Sequence, residues 1–241
     1  MTADSRRADA RRTEAWRALD RVIDPELDEP VTDLDFVASL EVSDDGDVAV
    51  HLRLPTSFCA PNFAYLMASD AKAVLSELDW ARSVSVALDD HHDSAIINAG
   101  LAADAGYRGT FGYEADDDLE ELRTTFRRKA HVAAMERSLT ALMAAHPWRS
   151  PQDMATVVLG DLPPGRTTDD LLDRRSAIGL STRPDAPVMV DHLGAGYVGL
   201  DVQLALRRAR STRISIEGNA HFCRGLLRTR YDDPDRTTIS A

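Results

Sequence analysis

The stretch "VAVHLRLPTSFCAPNFAYLMASDAKAVL", residues 48–75, decides how the chain is read. Val48, Val50, Leu52 and Leu54 alternate with Ala49, His51 and Arg53, the period of a strand with one buried face. After Pro61 the apolar residues fall at three- and four-residue steps, which predicts a helix with proline tolerated in its first turn. Between the two, Pro55 and Pro61 bracket a turn holding Cys59, one of two cysteines in the 241 residues. A thiol at such a corner lies near the unpaired N–H groups and the positive dipole end of the helix. That setting favours the thiolate, the form that binds metals and attacks electrophiles. Free cysteine also commonly fills space in a core, and the pattern alone leaves both roles open.

Working outward, Trp16, Leu19 and Val22 fit a helix over residues 5–22, ended before "DPELDEP", where Pro25 disfavours helix at Asp24. "FVASLEV" and "VAVHLRL", joined by "SDDGD", predict a β-hairpin with its turn at Asp45–Gly46, and "SVSVAL" predicts a third strand. The order helix–strand–strand–helix–strand predicts an α+β fold, a small sheet covered by helices, over residues 1–90. Residues 91–241 are expected to add a long helix and a small mixed α/β extension, either packed on the first domain as one unit or separate from it.

The long helix is predicted over 116–146, with acidic residues in its first turn and an apolar stripe from Leu119 through Phe126 and Met135 to Leu142. Its Glu120, Glu121, His131 and Glu136 lack the Glu–His three-residue spacing of a di-iron helix and read as a solvated face. "LGDLPPGRTTDD" reads as a turn, and a short helix follows with Thr168 as cap. Residues 187–241 read as strand, Gly-rich turn, helix, strand and short helix.

A formal net charge of −12 argues against nucleic acid or an anionic membrane as the main partner. No apolar run reaches the ~18 residues of a membrane span, and the arginine-containing N-terminus has no apolar stretch behind it. The expected location is the cytoplasm, with both cysteines reduced. Lys72 and Lys129 are the only lysines against many arginines, a bias expected of a GC-rich bacterial genome.

The runs "VIDPELDEPVTDLDFVASLEV", "VAVHLRLPTSFCAPNFAYLMASDAKAVLSEL" and "ARSVSVAL" together resemble the iron–sulfur cluster assembly family of the PaaD and SufT type. That family shows Asp-Pro-Glu after the first helix, Asp-Leu ahead of the first strand, and a Thr and a lone Cys at the strand-to-helix corner. Here these are Asp24, Pro25, Glu26, Asp33, Leu34, Thr56 and Cys59. The resemblance implies an accessory protein that helps deliver Fe–S clusters or iron to target proteins, with Cys59 as a ligand. Residues 89–241 lie outside the family's minimal domain, and Ser57 and Phe58 precede Cys59 where a Gly is common, which implies specialised targets.

Asp24 and Glu26, flanking a proline, are candidates to meet Cys59 as hard metal ligands, although acidic residues in such turns also simply bond the backbone. Cys223 and His221, in "SIEGNAHFC", are a thiolate–imidazole pair suited to iron, zinc or a cluster edge; a helix-core cysteine is the plainer reading. Two thiols cannot complete a four-thiolate [2Fe–2S] site, so a cluster would need His, Asp or Glu, a second subunit or an exogenous thiol; a homodimer sharing one cluster would answer that arithmetic. His91–His92 read as a polar loop unless the loop turns both rings to one metal. "GAGYVG", Gly194–Gly199, matches a dinucleotide fingerprint but leaves too little chain for a Rossmann domain and reads as a turn.

These readings predict a non-catalytic maturation protein that binds iron or an Fe–S cluster through Cys59 and hands it to a client metalloenzyme or another assembly protein. Cys223, Asp24, Glu26 and His221 complete the predicted site. One alternative, prompted by the resemblance, is a metal-free scaffold that assembles a multicomponent di-iron oxygenase on the long helix. Another is a thiol enzyme with Cys59 as nucleophile, for which no histidine stands at a persuasive position in sequence.

Overall fold

A computed structural model describes residues 3–112 and 119–231. The chain divides into two units, Met1–Leu119 with Asn219–Ala241, and Glu120–Gly218. Among the described residues no helix is long and apolar enough to cross a membrane.

The first unit runs α1 (Ala3–Leu19), β1 (Ile23–Asp24), β2 (Glu29–Pro30), β3 (Val37–Val42), β4 (Asp47–Arg53), α2 (Pro61–Ser76) and β5 (Ser83–Asp89). The alternation in residues 48–54 builds β4, the central strand, antiparallel to β3 and parallel to β5. Val48, Val50 and Leu52 are buried together with Leu40, Val86 and Leu88, in one core with Ala68, Ala71 and Leu75 of α2 and Ala15 and Leu19 of α1. Each large aliphatic side chain buried this way contributes ~1.5–3 kcal/mol relative to exposure.

Parallel neighbours need a crossover, which α2 supplies. The register from Asp47↔Ser83 to Arg53↔Asp89 therefore brings the carboxyl ends of β4 and β5 to one edge of the sheet. β1 and β2 pair only as Ile23↔Pro30 and Asp24↔Glu29, which closes the Asp-Pro-Glu segment into a tight loop.

α2 ends at Ser76, directly before "ELDW". There the backbone turns back, Leu78 N–H donating to Leu75 O and Ala81 N–H to Leu78 O. Trp80 is held by its indole N–H on Glu14 at 2.8 Å. Gly46, at φ +90°, faces Trp80: a Cβ there would stand 2.5 Å from the Trp80 carbonyl oxygen, so the hairpin turn requires glycine.

The segment after β5 forms two short helices, α3 (Ser94–Ala102) and α4 (Gly106–Phe111). Tyr107 and Phe111 of α4 place their rings 5.4 and 5.9 Å from that of Tyr65 on α2, which carries the first unit past residue 90.

The second unit contains α5 (Leu119–Ala145), short 3-10 segments at Pro151–Thr156 and Leu159–Asp161, α6 (Arg166–Ala177) and the first part of α7 (Leu200–Tyr231). Its core joins Met135, Leu139 and Leu142 of α5 to Met154, Leu171, Val188, Val202 and Ala209. The buried Arg175 donates to the carbonyls of Ser181 and Pro187 at 2.7 and 3.0 Å, and burial lowers its pKa.

Four expectations for these residues are corrected. The strand expected near "RISIEG" is helix. Ile214 and Ile216 imitate a β alternation, but the buried positions Ala209, Ile216, Ala220 and Leu227 recur at helical intervals. Near residues 187–190 only the isolated bridges Val158↔Pro187 and Val190↔Gly196 form.

Thr168 is not the cap of α6. Its hydroxyl donates to Pro163 O at 2.7 Å, and Gly165 holds the cap position. Finally, Glu120 and Glu121 are exposed, but His131 and Glu136 are buried. His131 precedes Met135 by one turn and so falls on the apolar stripe. Glu136 is paired with Arg213.

The Gly194–Gly199 segment is a turn, as expected. The Asp191 carboxylate accepts the N–H groups of Leu193 and Ala195 at 2.9 Å each, and Gly194 and Gly199 take φ of +83° and +58°.

Candidate functional site

The turn carrying Cys59 leaves the carboxyl end of β4, the side of a parallel strand pair where loops commonly gather ligands. Pro61 starts α2 at the position where a missing N–H costs nothing, so Cys59 sits two residues ahead of the helix. Thr56 shapes the turn: its Oγ1 accepts the Phe58 N–H at 3.3 Å and lies 3.4 Å from Cys59 Sγ. A hydroxyl so placed has its hydrogen available to a thiolate. Cys59 is half-buried, packed on the core of the first unit, while Phe58 is 80% exposed.

The loop after β5 closes over this turn. His91 is buried, with its Nε2 2.8 Å from Cys59 O and its Nδ1 3.1 Å from Asp93 N. The Asp93 N–H can only donate, which makes Nδ1 the acceptor and assigns the proton to Nε2, donating to the Cys59 carbonyl. His92 N–H donates to Ser57 O at 2.8 Å, and its ring centroid is 5.6 Å from that of Phe58. His91–His92 thus hold the cysteine turn through its backbone. Both His91 ring nitrogens are engaged by backbone groups, so neither lies free to act on the Cys59 sulfur.

Residues from Asn219 onward on α7 bring the second cysteine to this unit. Asn219 Nδ2 donates to Glu26 Oε1 at 3.3 Å, and Arg224 pairs with Glu29. Arg230 donates to Leu54 O at 2.9 Å, to Ser57 Oγ at 2.8 Å and to Asp90 O. It thereby ties the loops after β4 and β5 together. The stretch between these anchors carries Cys223, half-buried and packed on the same core as Cys59. Burial pushes the Cys223 thiol up to about 11, and the negative charges of Asp24, Cys59 and Glu26 push in the same direction. Cys59, Cys223, Asp24 and Glu26 therefore share one electrostatic neighbourhood.

Asp24 is buried in β1. Its Oδ1 accepts the N–H groups of Glu26 and Leu27 at 2.9 Å each, the backbone-bonding role an acidic residue takes in a turn. Desolvation nonetheless outweighs those two bonds and pushes its carboxyl up to about 6. Glu26 is exposed and meets Asn219. His221 is exposed as well. Two residues from Cys223 on a helix, it points about 200° around the axis, so the helix cannot turn both toward one ligand. Among the described residues no three His, Cys, Asp or Glu side chains stand close enough to hold a metal ion.

Sequence reasoning undervalued His91 and missed Arg230. Both contacts arise from pairings that only the fold creates: the parallel register of β5 on β4, and the return of the last helix to the first unit. The one signal for His91 was its place immediately after a strand expected to lie in the same sheet.

Residues 12–88 match the family described as "Iron-sulfur cluster assembly protein". The matched segment includes Asp24, Glu26, Thr56 and Cys59; His91, Cys223 and Arg230 lie outside it. No curated protein and no solved structure matches the chain significantly. The family match supports a role in iron–sulfur cluster assembly.

Proposed function

We propose that the first unit binds iron or an Fe–S cluster as cargo at Cys59, with Cys223 as second thiol, and passes it to a client metalloenzyme without itself catalysing a reaction. The observation that carries this reading is the convergence of the chain's two cysteines, from distant parts of the sequence, on one core beside Asp24. Packing alone gives no reason for two thiols and two carboxyl groups to share one acidic neighbourhood.

The same neighbourhood supports loose holding. With no cation present, Cys223 is kept protonated by burial and by the surrounding negative charge. A thiophilic cation reverses the sign of that field and favours both thiolates, so loading releases a proton from Cys223. Unloading takes it back, which opposes permanent retention at neutral pH. Two thiols from one chain leave a cluster with incomplete protein ligation. The remaining positions fall to a second copy, a small thiol or the client, and ligand exchange with the client is then the route of transfer. Phe58, exposed beside Cys59, gives a client an apolar contact at the point of exchange.

Transfer tests this directly. Protein loaded anaerobically with iron and sulfide is mixed with an apo [2Fe–2S] ferredoxin, and the acceptor's spectrum is followed in the presence of a chelator. Transfer that outpaces free iron and sulfide, and is lost in Cys59→Ala, is expected. Transfer no faster than from free iron and sulfide would leave a scaffold role as the better reading.

A further inference from the structure

A cavity of about 530 Å3 opens in the second unit, bounded by residues of α5 and of the first part of α7. Its size is within the ~300–1,000 Å3 typical of small-molecule sites. Arg207, Arg210 and Arg213 follow one another at three-residue steps along α7, and all three line it. Arg213 is committed to Glu136 and, at 2.6 Å, to Glu217. Glu136 also accepts the Thr140 hydroxyl at 3.0 Å, so the one carboxylate in the cavity wall is already matched.

Arg207 and Arg210 differ. Both are exposed, neither forms an ion pair among the described residues, and Arg207 makes only a 3.4 Å bond to Gln203 O. In a chain with 40 acidic and 28 basic residues, carboxylate partners are plentiful, yet these two cations face a cavity instead. Like charges three residues apart on a helix repel, and an anion between them relieves that repulsion. Met143 and Leu206 supply apolar surface in the same cavity.

We propose that this cavity binds a small organic anion, a carboxylate with a short aliphatic body. The head sits between the guanidinium groups of Arg207 and Arg210, whose planar forks match a carboxylate. The body rests on Met143 and Leu206. The site is separate from Cys59 and stands on its own observations.

Calorimetric titration of the full chain with hexanoate, hexanol and inorganic phosphate tests it. Hexanoate is expected to bind saturably, one per chain, at submillimolar concentration, and to raise Tm. Hexanol and phosphate, each lacking one half of the ligand, are expected to bind at least about tenfold more weakly. The double variant Arg207→Gln/Arg210→Gln, altered only at exposed side chains and checked by circular dichroism, should lose hexanoate binding by a similar factor. Arg207→Lys/Arg210→Lys should fall between. No saturable hexanoate binding at millimolar concentration, equal binding of hexanol, equal binding of phosphate, or an undiminished affinity in the Gln variant would each overturn the proposal. Cys59→Ala should bind hexanoate as the parent does.

Discussion

Replacing Asp24 with asparagine should stabilise the first unit near neutral pH. The carboxyl is 6% exposed, and both of its backbone hydrogen bonds fall on the same oxygen, Oδ1. An asparagine carbonyl can accept the same two N–H groups, so the turn keeps its bonds. What changes is the charge. Burial raises the carboxyl from 3.8 to about 6, so the folded state holds the proton more tightly than the unfolded chain does. The stabilising contribution is complete below pH 3.8 and is lost as the pH rises through about 6. At ~1.4 kcal/mol for each factor of ten, that loss amounts to up to about 3 kcal/mol.

Asp24→Asn, neutral throughout, avoids it. The variant should match the wild type near pH 4 and exceed it by up to about 3 kcal/mol near pH 8. Urea unfolding followed by tryptophan fluorescence measures this, Trp16 and Trp80 both lying in the first unit. A gap between the two proteins that stays constant with pH, or a variant less stable near pH 8, would refute the reasoning. The same substitution removes the largest charge effect on Cys223, second only to burial. Alkylation of Cys223 near pH 9, in a Cys59→Ala background, should therefore quicken.

Three further substitutions probe the parts around the site and the second core. His91→Ala removes the donor on Cys59 O and leaves that carbonyl unmatched. A loss of ~1–3 kcal/mol, and faster amide exchange over Ser57–Cys59, are expected, and unchanged exchange would count against His91 as the anchor of the turn. Arg230→Ala should cost ~1–3 kcal/mol and raise exchange in both loops together; a change confined to one loop would show that Arg230 does not couple them. In the second unit, His131 is fully buried, neither ring nitrogen has a hydrogen-bond partner among the described residues, and desolvation lowers it to about 4. Its folded state binds fewer protons than the unfolded chain, so stability is complete above pH 6.5 and lost as pH falls through about 4. His131→Leu should flatten that acid limb and add ~1–2 kcal/mol at neutral pH; an unchanged acid midpoint on denaturation would contradict it.

The first unit was legible because its sequence agrees with itself at each level: alternation in β4, proline at the start of α2, a glycine where the hairpin needs one. The C-terminal region was harder for a physical reason. "RISIEG" carries β-branched residues at alternating positions, and a short window cannot tell a strand from a helix that buries Ile216 on a longer period. His131 and Glu136 misled in another way, since polar residues on an amphipathic helix are ordinarily solvated, and their burial depends on partners distant in sequence.

At the site, the sequence singled out Cys59 and Asp24 as candidates and paired Cys223 with the nearby His221. Helical geometry separates that pair, while the fold sets Cys223 beside residues of the first loop. Strand direction was the missing quantity for His91: only a parallel β5 ends where β4 ends.

The most direct test of the account is anaerobic iron and sulfide analysis, with a visible spectrum, on reconstituted wild type, Cys59→Ala and Cys223→Ala. Stoichiometric iron with charge-transfer bands in the wild type, lost in Cys59→Ala and weakened in Cys223→Ala, is the predicted result. Iron retained in full by Cys59→Ala, or none bound by the wild type, would contradict it.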